Sequence, residues 1–287
     1  MSATAVITPR EETIDSTGAR IFVRSWVPAG VPKAVVAICH GVNSHSGYFL
    51  WAGERLAAQG YAVYALDLRG RGRSTGERFY IERFQDYIDD VDATMRLARS
   101  RHPGLPVFLL GHSAGGVVSS VYTLEHQHEL AGLICESFAF RVPAPDFVLA
   151  VVKGLSHLWP HTHVLTLKNA DFSRDPEAVA AMDRDPLIKD ESQPSLTVAQ
   201  LVLADERLER EFPRITLPVF IMHGTADKAT RPEGSQQFFD NAGSTDKTLK
   251  LYEGHVHDLL NDFGREQVMG DILAWLDARV PASGAKG

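Results

Sequence analysis

Short apolar runs alternate with amphipathic stretches along most of the chain, and the two periods predict an α/β fold. The run Ala34-Val35-Val36-Ala37-Ile38-Cys39 is apolar throughout, the pattern of a strand covered on both faces. Residues 61–66, 106–110, 130–135, 219–223 and 248–252 read as further strands. Between them, residues 50–59 predict a helix that Gly60 ends. Residues 84–101 predict another, with Ile88, Val91, Met95, Leu97 and Ala98 near helical spacing. A last helix covers 264–279, and residues 13–27 read as two antiparallel strands turning at Ser16-Thr17-Gly18. Strands alternating with helices imply a mostly parallel sheet with right-handed crossovers.

One gap interrupts the rhythm. Residues 136–218 separate two strands where a single helix crossover needs far fewer. Residues 140–210 are therefore expected to be an inserted helical cap on a core of 1–139 and 211–281, with 282–287 a loose tail. The first part of the cap is unusually apolar, running through Phe147, Val148, Leu149, Val151, Val152, Leu155, Leu158 and Trp159. That composition suits a cap packed over the sheet, a face turned to substrate, or peripheral contact with lipid.

A chain of 287 residues is long enough for one substantial core. The formal charge of −7 and the absence of a Lys/Arg-dense face argue against a nucleic-acid partner. Cys39 and Cys135 each sit in an apolar run and read as buried free thiols. No signal-peptide pattern opens the sequence and no apolar stretch is long enough to span a bilayer, so a cytoplasmic protein is the expectation. Oligomeric state is not encoded in any pattern here.

The chemistry centres on Gly111-His112-Ser113-Ala114-Gly115, which joins an apolar strand to a helix-compatible stretch. A G-x-S-x-G turn in that setting forces serine into a strained bend above a sheet, with glycines where side chains would collide. A serine hydroxyl needs a base, a carboxylate to orient that base, and donors for the developing oxyanion. In chain order the acid is expected before the histidine. Asp227 lies on the loop leaving the strand 219–223, at the end of the sheet where such sites form. Glu136, at the end of the preceding strand, is the rival acid, and otherwise a polar wall of the pocket or a solvated group. The loop after the last strand offers two bases, His255 and His257, which spacing does not separate. The oxyanion donors are expected to be the backbone N–H groups of Ala114 and Val42, with His40 anchoring the loop that carries Val42.

His157, His161 and His163 lack accompanying metal-ligand spacing, and Arg69, Arg71 and Arg73 lack a P-loop lysine, so packed and structural roles are expected for both sets. The triad chemistry requires no metal and no organic cofactor.

These motifs resemble the monoacylglycerol lipase and lysophospholipase branch of the α/β-hydrolases over nearly the whole chain. The resemblance lies in His40-Gly41 with His45-Ser46, in Asp67-Leu68-Arg69-Gly70-Arg71-Gly72-Arg73-Ser74, and in the elbow. It continues in Ser173-Arg174-Asp175-Pro176, Asp185-Pro186-Leu187, His223-Gly224-Thr225-Ala226-Asp227 and Tyr252-Glu253-Gly254. It implies the α/β-hydrolase fold, Ser113, Asp227 and His257 as the triad, and Val42 and Ala114 as oxyanion donors. It departs from the family at Ala114, where methionine is usual, at Asn43-Ser44, where glycine and glutamate are usual, and at Glu136. A carboxylic ester hydrolase acting on monoacylglycerols or small lipophilic esters is the expected function. A peptidase, thioesterase or carbon–carbon hydrolase shares the triad, and a ligand-binding protein on the same scaffold is the reading from another class.

Overall fold

The computed structural model describes residues 7–142 and 146–280; the expected tail, 282–287, lies outside them. Among the described residues, eight strands form one sheet: β1 (Arg10–Ser16), β2 (Ala19–Trp26), β3 (Ala34–Cys39), β4 (Tyr61–Leu66), β5 (Val107–His112), β6 (Gly132–Glu136), β9 (Val219–Gly224) and β10 (Lys247–Tyr252). Two short strands, β7 (His163–Leu165) and β8 (Gln193–Pro194), pair apart from it. The sheet order is β1-β2-β4-β3-β5-β6-β9-β10, antiparallel at β1, β2 and β4 and parallel from β4 onward. The mostly parallel sheet is what the alternation of periods implied, and the whole is the α/β-hydrolase architecture that the resemblance implied.

The helices are α1 (Leu50–Ala58), α2 (Gln85–Arg101), α3 (Ala114–His126), α4 (Asp146–Leu155), α5 (Pro176–Arg184), α6 (Ser195–Glu211), α7 (Pro232–Asn241) and α8 (Arg265–Asp277). They cover both faces of the sheet, which is why β3 reads as apolar at every position. Val35, Ala37 and Cys39 pack with residues of α2, α3 and α6, whereas Val36 and Ile38 pack with α1 and α8. The hydrophobic period does not reveal helix α7, because Pro232, Gly234 and Ser235 mask its amphipathic pattern, although a parallel β9–β10 pair demands a crossover between them.

Between β6 and β9 the chain supplies α4, α5, α6 and the β7–β8 pair. Phe172, Met182 and Ile188 form a small cluster of their own, while Ala204 and Leu208 of α6 belong to the main core. Helix α6 thus starts in the inserted segment and ends against the sheet. Cys39 and Cys135 are buried free thiols, and burial pushes Cys135 up to about 12. None of the described helices is long and apolar enough to cross a membrane.

Candidate active site

Strand β5 runs directly into Ser113, whose backbone is left-handed at φ 56° and ψ −124°, and α3 begins one residue later. That conformation costs a non-glycine residue free energy and is held by its surroundings. The surroundings are close. A Cβ on Gly111 would lie 2.5 Å from the Gly115 carbonyl oxygen, and one on Gly115 would lie 2.3 Å from that of Cys39. A Cβ on Gly41 would meet Ser113 Cβ at 2.7 Å and Ala114 N at 3.2 Å. The loop carrying Val42 therefore lies against the elbow, and Val42, Ser113 and Ala114 line the same cavity of about 430 Å³.

His40 ties this loop down. Its Nε2 accepts from the Leu68 N–H at 3.0 Å, so the proton sits on Nδ1, 2.6 Å from the Gly41 carbonyl. Burial outweighs the nearby Asp67 and lowers the ring to about 4, in keeping with the neutral tautomer.

Asp227 and His257 meet at the ends of β9 and β10. His257 Nδ1 donates to Asp227 Oδ2 at 2.7 Å, both side chains being inaccessible to solvent. Among the described residues the buried His257 Nε2 has no hydrogen-bond partner, Ser113 Oγ included. The ring of His112, the residue before Ser113, lies 5.0 Å from that of His257, and Phe172 stands edge-on to His257 at 4.8 Å. The Ser137 hydroxyl holds the His257 carbonyl at 2.5 Å. His255 instead lies partly exposed, its ring 5.5 Å from that of Tyr252.

Two partners of Asp227 escaped the sequence reading. His223 Nε2 reaches Oδ2 at 3.0 Å while its Nδ1 meets Ser235, and the Thr230 hydroxyl donates to Oδ2 at 2.8 Å. The backbone N–H groups of Ala229 and Thr230 donate to Oδ1 at 2.8 and 3.0 Å. Burial alone would raise this carboxyl, but His257 and His223 hold it well below the usual range. The clue available was the spacing of His223 and Asp227, four apart across the end of one strand.

Glu136 is neither a solvated group nor a wall of the cavity. It is fully buried, and its Oε1 accepts from the Leu260 N–H at 3.1 Å, beneath the loop that carries His257. It clusters with Asp258 and His112, the three offering donor atoms within 4.8 Å of one another. Burial, aided by Asp258, raises Glu136 well above the carboxylate range, and burial raises Asp258 to about 6. A raised carboxyl favours the folded state when protonated. Its stabilisation is complete below the ordinary value of 3.8 and is lost as pH climbs through about 6 for Asp258. Glu136→Gln keeps an acceptor for Leu260 and removes one of two charges buried together. Its melting temperature should fall less between pH 5 and pH 8 than the wild type's, by about 2–4 °C for each kcal/mol relieved. Parallel melting curves for the two proteins would refute the paired-carboxyl account.

The three arginines are structural, as expected. Arg69 pairs with Asp90 at 2.6 Å, Arg73 with Glu11 at 2.6 Å, and the buried Arg71 with Glu191. His161 pairs with Glu77 at 2.8 Å and His163 meets the Ser192 carbonyl at 2.9 Å, so these histidines serve separate contacts.

The family model described as serine aminopeptidase, S33, matches residues 30–263. The chain is 32% identical to a monoacylglycerol lipase of Mycolicibacterium smegmatis over 90% of its own length and 93% of that protein's. It is 32% identical to the human monoglyceride lipase over 94% and 91% of the two chains. The crystal structure of a Paleococcus ferrophilus monoacylglycerol lipase superposes with a TM-score of 0.81 at 29% identity, covering 90% of this chain and 99% of that one.

Proposed function

Because the chain belongs to the α/β-hydrolase family whose model is described as serine aminopeptidase, S33, we propose that Ser113, His257 and Asp227 are its catalytic triad and the Val42 and Ala114 amides its oxyanion hole. The protein is a serine hydrolase of the lipase and esterase type acting on monoacylglycerol-like esters. The observation that carries the site assignment is the buried His257–Asp227 hydrogen bond, which leaves Nε2 the basic nitrogen.

Ser113 Oγ attacks the ester carbonyl as His257 Nε2 takes its proton, and the two amides stabilise the oxyanion. Asp227 holds the imidazolium. His257 then protonates the departing alcohol, leaving an acyl-enzyme on Ser113. Water repeats the sequence, its proton passing through His257, and the carboxylic acid is released. Neither step calls for a metal or an organic cofactor.

The cavity suits an acyl chain. Val148, Val152, Leu165, Leu167, Val198 and Val202 line it, and about 430 Å³ falls within the usual range for ligand sites. All six belong to 140–210, which we assign as the cap. Phe147, Val151, Leu158 and Trp159 stand more than half exposed on the same segment, which supports peripheral contact with lipid by a cytoplasmic protein.

An aminopeptidase reading draws on Asp205, a cavity-lining carboxyl whose Oδ1 has no partner among the described residues. Its neighbours Glu206 and Glu209 are already paired with Lys153 and Arg141. Burial raises Asp205 well above the carboxylate range, and a neutral acid grips an ammonium group weakly. Rates on glycerol and simple-alcohol esters of rising acyl length, compared with aminoacyl anilides, test the choice. kcat/KM should climb by up to about fourfold per methylene until the cavity fills, at ~0.8 kcal/mol each. Faster turnover of the anilides would overturn the ester reading.

A further inference from the structure

The loop that follows Val42 is held from the inserted segment. The Asn43 N–H donates to Glu191 Oε1 at 2.8 Å, with Asn43 left-handed at φ 48°. The same oxygen receives Gln193 Nε2 at 2.9 Å and forms an ion pair with Arg71. Arg71 is fully buried and also donates to Gln193 at 2.6 Å and to the Tyr87 hydroxyl at 3.2 Å. Further along the loop, Asn43 Nδ2 donates to Asn169 at 2.9 Å, and both His45 and Tyr48 reach Asp185, at 2.8 and 3.0 Å. Residues 169, 185, 191 and 193 all lie in the segment between β6 and β9.

We infer that Glu191, anchored by Arg71, is a positioning residue for the oxyanion hole, so that the seating of the cap and the aim of the Val42 amide are one mechanical unit. The inference rests on the reading of Val42 as an oxyanion donor. Glu191 does not touch the reacting ester; it fixes the peptide plane between Val42 and Asn43, one residue from the amide that does. An anion-stabilising donor is effective only when it is already aimed at the place where charge develops. A buried carboxylate tied to a buried guanidinium is a stiff way to hold it, because neither partner gains by moving into water alone. Asparagine adopts a left-handed backbone more readily than most side chains do, and the bond to Glu191 fixes the Asn43 N–H in that conformation.

Two double variants separate positioning from folding. R71M/E191M removes both buried charges together, which proteins often tolerate, and leaves the Asn43 N–H without its acceptor. R71M/E191Q differs only in restoring a carbonyl acceptor at that place. On a soluble short-chain ester, kcat of R71M/E191M should be at least about tenfold below that of R71M/E191Q, with KM within about threefold, since loosening a donor costs part of the 10²–10³ that removing one costs. Affinity for an alkyl boronic acid, which mimics the tetrahedral adduct on serine, should fall in parallel. Equal kcat in the two folded doubles, or a change in KM alone, overturns the inference. If the Met/Met double does not fold, Glu191→Gln and Glu191→Leu carry the same comparison below their melting temperatures. Undiminished turnover in a folded Val42→Pro control, which lacks that N–H, would instead overturn the oxyanion-hole assignment beneath it, so the two failures are distinguishable.

Discussion

Ser113→Ala should lower ester turnover by roughly 10⁴ to 10⁶ while leaving the melting temperature close to that of the wild type. The size of the loss follows from the division of labour in the site. On the proposed assignment there is no acyl-enzyme without the hydroxyl, and what remains is water attacking an ester that the Val42 and Ala114 amides would still polarise. The stability should hold because the left-handed backbone at residue 113 is imposed by Gly41, Gly111 and Gly115 and their close contacts, not by the serine side chain. Alanine meets the same strain at φ 56° that serine does. A fluorophosphonate probe gives the complementary measurement, labelling the wild type and not the variant. A wild type that resists labelling would favour a ligand-binding protein on this scaffold.

Asp227→Asn should cost about 10⁴ in kcat, the loss that the same exchange causes in serine proteases by presenting the wrong histidine tautomer. The carboxylate accepts a hydrogen bond from His257 Nδ1–H, so the lone pair stays on Nε2, the nitrogen that takes the serine proton in the proposed mechanism. An asparagine can turn its NH₂ towards Nδ1, and the ring then carries its proton on the wrong side. Here the substitution reaches further, because His223 and the Thr230 hydroxyl bear on the same oxygen at 3.0 and 2.8 Å. The variant should therefore lose stability as well, in a window that follows from the depressed carboxyl. A carboxyl held below its ordinary value of 3.8 stabilises the fold above that pH, and the contribution fades as pH falls through the folded-state value. Melting curves of the wild type and Asp227→Asn should differ most near neutrality and converge in strong acid. Unchanged kcat at neutral pH would remove Asp227 from the site.

How far the site was legible in the chain depended on whether a residue's role is local. The elbow is local: one strand, two glycines and one helix compel the bend at Ser113, and all of them are contiguous. The two-face burial of β3 is legible for the same reason, since a strand with helices on both sides has no position left for a polar residue. The choice between His255 and His257 was not local. Two histidines two residues apart differ only in which faces Asp227, thirty residues earlier, and the packing of two loops decides it. Glu136 was misplaced by sequence position alone: at the end of a strand it looked like a rival acid, a pocket wall or a solvated group, but the loop after His257 folds over it and buries it.

By itself the sequence determined the alternation of strands and helices, the elbow, and the candidate acid and bases. Each of these is carried by backbone preference and hydrophobic period over a few neighbouring residues. Only the tertiary structure decided which histidine binds Asp227, that His223 and Thr230 share that carboxylate, and that Glu191 reaches back across the chain to Asn43. Those pairings join residues brought together by sheet order and loop packing, and a hydrogen bond requires its partners within about 3 Å, a distance that no spacing along the chain encodes.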